Sequence, residues 1–149
     1  MLIDKLTQGA VAGAVDEDME RRWLGAVHGS LRSVGGFVAG PVRPPGPGWN
    51  YYRVSVEADR TDVWVLLNAA LGLVAACSTA GAAEVGPLRF VDVPGPGSYR
   101  QAGFTVADAV ALSASLRPEH VTGLTDPQRA DVRYHRPDAV GDLLFNWFD

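Results

Sequence analysis

Tyr51-Tyr52-Arg53-Val54-Ser55-Val56-Glu57-Ala58, a polar break at Asp59 to Asp62, then Val63-Trp64-Val65-Leu66-Leu67: residues 51–67 read as a β-hairpin. Tyr52, Val54, Val56 and Ala58 alternate with Tyr51, Arg53, Ser55 and Glu57. That period of two marks a strand with one buried face. The run Val63–Leu67 supplies its returning partner. Beyond it, residues 68–83 suit either a third strand at Leu71–Ser78 or an alanine-rich helix. The strand is preferred, because β-rich segments on both sides make a contiguous sheet easy to build. Leu88–Val93 gives a further strand, closed by Pro94-Gly95-Pro96-Gly97.

Upstream of the hairpin the period changes. Met19, Trp23, Val27, Leu31 and Val34 recur at three- and four-residue steps, which predicts an amphipathic helix over Asp16–Val34. Asp16, Glu17, Asp18 and Glu20 favour its start, where the helix dipole is positive, and Gly35-Gly36 its end. Glu17 with Arg21, and Asp18 with Arg22, have the four-residue spacing of helical ion pairs. Residues 1–15 show no clear period and are expected as a flexible stretch or a short helix.

Helical signals dominate the C-terminal part. Thr105 and Asp108 have the spacing of a capping box, with Asp in the usual Glu position. Pro118, Pro127 and Pro137 each stand where a short helix can open. The expected fold is one α+β domain over 1–149. It comprises an N-terminal amphipathic helix, an antiparallel sheet of three to five strands, and short C-terminal helices packed on one face.

Composition bounds the function. The chain has 149 residues, 47% of them hydrophobic and 20% charged, and a net charge of -4. A chain of this length buries enough surface to fold without metals or disulfides. Its acidic balance opposes binding to a phosphate backbone, so nucleic acid is not an expected partner. Lys5 is the sole lysine among thirteen basic residues, a bias of GC-rich coding DNA that points to a bacterial genome. The single cysteine, Cys77, lies in an apolar run and fits a reducing cytoplasm. Val63 to Ala83 carries no charge over 21 residues, but its polar and small residues favour buried core over a membrane span.

Two constellations offer chemistry. The C-terminus ends Leu143-Leu144-Phe145-Asn146-Trp147-Phe148-Asp149, an apolar density that must dock on something. Trp147 and Phe148 there, Arg136 just upstream, and Trp49 and Tyr51 beside the loop Gly40–Gly48 are the candidate binding residues. Alternatively, His135 or His120 could work with Asp142, Asp138 or Glu119 as acid and base. On a helix, Asp138, Asp142 and Asn146 would share one face. No cofactor fingerprint or metal-ligand spacing appears, so neither a cofactor nor a metal is expected. Pro45-Gly46-Pro47-Gly48 and Pro94-Gly95-Pro96-Gly97 are poor phosphate cradles, because proline has no N–H to donate.

The expected function is a non-catalytic protein-binding module of immunity-factor, chaperone or adaptor type. Its partner would be a protein, by charge a basic one, and a homo-oligomer is compatible with the same features. A small hydrolase or isomerase with a C-terminal His/Asp site is the alternative. The two differ geometrically: an enzyme gathers these polar groups in one concavity, and a binding module exposes apolar surface at the aromatics.

Overall fold

A computed structural model describes residues 12–78 and 86–148. Helix α1 spans Glu17–Val34. Asp16 caps it, its carboxylate accepting from the Met19 N–H at 3.0 Å, and Gly35 ends it in the left-handed region with φ 74°. Gly36 then passes so close to the sheet that a Cβ would lie 2.3 Å from the Glu57 carbonyl oxygen. The helix is thereby fixed against the sheet edge. The ion pairs on α1 differ from those expected: Arg21 pairs with Asp18 rather than Glu17, and Arg22, rather than meeting Asp18, lies over the Phe104 ring at 4.9 Å.

The sheet is a meander. Strand β1 (Phe37–Val38) pairs with β2 (Tyr52–Ala58), β2 with β3 (Thr61–Asn68), and β3 with β4 (Leu73–Ser78), each antiparallel. The two-residue β5 (Phe90–Val91) continues the antiparallel order on β4. A sixth short strand, β6 (Thr105–Val106), pairs parallel with the beginning of β4. The ambiguity after Asn68 thus resolves as a turn over 69–72 and the strand Leu73–Ser78, and the rest of that run lies outside the described residues. The described part of the uncharged run is sheet core. Among the described residues no helix is long and apolar enough to cross a membrane.

Both faces of the central strands are covered, where alternation alone predicted one. Tyr52, Val54, Val56, Val65, Leu67, Val74 and Ala76 pack against Trp23, Val27 and Leu31 of α1 and against Tyr99. Tyr99 comes from α2 (Pro96–Gln101). The opposite face presents Tyr51, Leu66, Leu73, Ala75 and Cys77. It packs against Leu112 of α3 (Ala109–Leu112), against Val140, Leu143 and Leu144 of α5 (Val140–Leu144), and against Phe145. Between those helices lie a 3-10 turn (Pro118–Val121) and α4 (Asp126–His135), whose residues are exposed or half-buried.

Several local expectations are corrected. Pro94-Gly95-Pro96-Gly97 is only half a connector, since Pro96 occupies the first turn of α2 and Gly95 precedes it with φ 55°. Ser30 donates its hydroxyl to the Pro94 carbonyl and binds this turn to α1. Thr105 lies in β6, and Asp108 itself caps α3 by accepting from the Ala111 N–H at 2.7 Å. Pro137 opens no helix, because α5 begins three residues later. Asp138 therefore does not share a helical face with Asp142.

Candidate functional site

The C-terminal segment is anchored before it reaches any site. Phe145 is fully buried and meets Tyr51 and Phe90 ring to ring, with centroids 6.0 Å apart in each pair. Burying such a ring contributes about 1.5–3 kcal/mol. Three buried asparagines hold the adjoining backbone. Asn68 Nδ2 donates to the Leu144 carbonyl at 2.8 Å and Asn50 Nδ2 to the same oxygen at 3.3 Å. Asn50 Oδ1 accepts from the Asn146 N–H at 2.8 Å, and the Asn50 N–H donates to the Asn146 carbonyl at 3.2 Å. Asn146 Nδ2 in turn donates to Leu143 at 2.9 Å. Buried amides in a connected network fix one geometry, because leaving any of them unpaired is costly.

From this anchor the chain emerges into a cleft of about 410 Å³. Trp49 and Phe148 line it together with Asn50, Asn146, Gln128 and Asp131, and the segment Ala12, Gly13 and Val15 forms another wall. Both aromatics are held in place. The Trp49 indole N–H donates to the Pro44 carbonyl at 2.8 Å, and its ring lies against Gly46. The Arg53 guanidinium sits 5.2 Å from that ring centroid and 5.1 Å from Trp64. The Phe148 N–H donates to Asn146 Oδ1 at 3.1 Å, and its ring stacks on His135 at 4.6 Å with an interplanar angle of 10°. Trp147 contacts the same His135 edge-to-face at 6.3 Å.

Of the candidate binding residues, Trp49 and Phe148 thus meet across 99 positions of chain. Trp147 stays half-buried beside them, joined through the aromatic cluster. Tyr51 is only 2% exposed and belongs to the core, where burial pushes its hydroxyl up to about 12. Arg136 is exposed with φ 52° and ends α4 by donating its N–H to Val132.

The titratable candidates have separate occupations. His120 is buried and its Nδ1 accepts from the Arg117 N–H at 2.8 Å. Glu119 is exposed and lies 4.0 Å from Arg117. Asp142 Oδ2 accepts from the N–H groups of Asp138 and Ala139, both at 3.1 Å, so its carboxylate closes the start of α5. Burial raises its pKa, and those two amides pull it back towards the ordinary range. His135 is engaged with Phe148 and Tyr134. None of these four side chains lines the cleft. Cys77 is buried under the sheet, its thiol pushed up to about 12 by desolvation. Among the described residues no three of His, Cys, Asp and Glu gather as metal ligands.

Asn50, Gln128 and Asp131 lacked a sequence signature, and Asn146, expected on a helical face with Asp142, lies beyond the end of α5. Asn50 stands next to Trp49 and could have been singled out as a polar residue entering an aromatic strand. Gln128 and Asp131 become neighbours of Trp49 only because α4 folds back over the loop, which no local pattern encodes. Comparison with family models, with curated proteins and with solved structures gave no match.

Proposed function

We propose that this chain is a non-catalytic, cytoplasmic protein-binding module, and that the Trp49–Phe148 cleft receives its partner. The supporting observation is that two half-buried aromatics from distant parts of the chain line one concavity, Trp49 held by its indole hydrogen bond and Phe148 by stacking on His135. Aromatic anchors held in one rotamer lose little entropy on binding, which suits a recognition surface. The amides around them offer donors and acceptors of the kind that orient a peptide. The polar groups of the enzymatic alternative are instead occupied in capping backbone or in ring stacking, outside the cleft.

The test is to express tagged wild type and a Trp49→Ala/Phe148→Ala variant in the native host and weigh the purified complexes by native mass spectrometry. A stoichiometric protein partner on the wild type, lost from a folded variant, is the expected result. Wild type that purifies alone, or a variant that keeps the same partner, would refute the assignment.

A further inference from the structure

The cleft does not end at Val15. That residue also lines a second concavity of about 350 Å³, with Pro44, Tyr52, Glu17, Glu20 and Arg21. Val15 is 68% exposed, which leaves its apolar side chain open to a ligand that spans both clefts. The Pro44-Pro45 pair runs along both, Pro44 in the second and Pro45 in the first. Proline fixes backbone dihedrals, so this shared wall is stiff.

The charges on the two halves have the same sign. Asp131 lines the aromatic cleft, and Glu17 and Glu20 line the second. Arg21, the one cation among the described residues that line it, is paired with Asp18. The Tyr52 hydroxyl accepts from the Asp16 N–H at 3.0 Å, which holds the start of α1 against the wall. The chain as a whole carries -4. An apolar ridge flanked by carboxylates on both sides complements a ligand with apolar and cationic side chains in one extended segment.

Building on the binding role given to the Trp49–Phe148 cleft, we infer that the two clefts form one groove across Val15. Its occupant is a basic segment of a partner protein, with an apolar side chain between Trp49 and Phe148 and a Lys or Arg against Glu17 and Glu20. An acidic segment would meet Glu17 and Glu20 there, with only the solvent-exposed guanidinium of Arg21, shared with Asp18, to offset them.

Three capped peptides test this by amide NMR titration of the full chain: Trp-Lys-Lys, Trp-Glu-Glu and Trp alone, each acetylated and amidated. The expected order places Trp-Lys-Lys roughly three- to tenfold tighter than Trp-Glu-Glu, the range for two exposed ion pairs. Shifts should spread from Trp49 and Phe148 to Val15, Glu17 and Glu20. The advantage should vanish at about 1 M salt, where the Debye length is near 3 Å. It should also vanish in Glu17→Gln/Glu20→Gln, with capped Trp binding unchanged. Equal binding of both charged peptides, with capped Trp still shifting Trp49 and Phe148, would overturn the basic-segment inference and leave the aromatic cleft standing. No shift at Trp49 or Phe148 with any probe would overturn both.

Discussion

Gly141 shows how little room individual positions have. A Cβ there would sit 2.4 Å from Phe90 Cε2 and 2.9 Å from the Leu112 carbonyl oxygen. The side chain of Phe90 could yield, but the Leu112 backbone could not without moving α3. Gly141→Ala should therefore destabilise the fold by about 1–3 kcal/mol, as overpacked cores do, read by urea denaturation. Asp142 beside it poses an electrostatic question. Its folded pKa lies above the ordinary 3.8, chiefly through burial. The folded state thus holds this proton more tightly, and its contribution to stability is lost as pH rises through the folded value. Asp142→Asn keeps an acceptor for the Asp138 and Ala139 amides and removes the desolvated charge. Relative to wild type, the variant should gain stability as pH rises out of the acid range, measured as the difference of two pH–Tm curves. Asp142→Ala, which leaves both amides unpaired, should lose about 1–3 kcal/mol.

At the scale of elements, β2, β3 and α1 were legible in sequence because each repeats one period over a full element. Glu17–Val34 differs from expectation only at its cap, and residues 52–68 differ only at strand ends. The C-terminal elements were less legible. Thr105 entered a parallel pairing with β4, a choice made by Leu73, far upstream in the chain, rather than by its neighbours. Asp138 fell outside α5 because Asp138 and Ala139 turn back to receive Asp142. The expected docking of Leu143–Phe145 did follow from apolar density alone, whereas the asparagines that lock it have no local signal. Their role predicts that Asn68→Ala, which strips one of two amide donors from the Leu144 carbonyl, costs about 1–3 kcal/mol. Hydrogen exchange at Phe145 and Asn146 should accelerate in that variant beyond the change in global stability. Equal acceleration throughout the chain would mean that the network stabilises without specifically holding the tail.

The whole molecule is a sheet buried on both sides, and its alkaline behaviour should report that burial. Tyr51 faces one layer and Tyr99 the other, and burial pushes both hydroxyls up to about 12; the Cys77 thiol, on the Tyr51 side, is also pushed up to about 12. Ordinary tyrosine and thiol values are 10.0 and 9.0. The folded state holds these protons longer than the unfolded chain does. Their contribution is complete below the unfolded values and is lost as pH climbs towards about 12. Phenolate absorbance from Tyr51 and Tyr99 should therefore appear together with loss of structure, near the top of that window. Stepwise ionisation of both at ordinary values in a folded chain would contradict a sheet covered on two faces.

The same two-layer architecture brings a loop before β2, helix α4 and the final residues to one rim, the proposed partner site. Hydroxyl-radical footprinting of the free chain and of its isolated complex reads those side chains directly. Oxidation of Trp49, Phe148 and Val15 should fall in the complex while that of Phe37 and Val110, exposed outside the cleft, stays unchanged. Trp49 and Phe148 oxidised in the complex as fast as in the free chain would place the partner on another face and contradict the central claim.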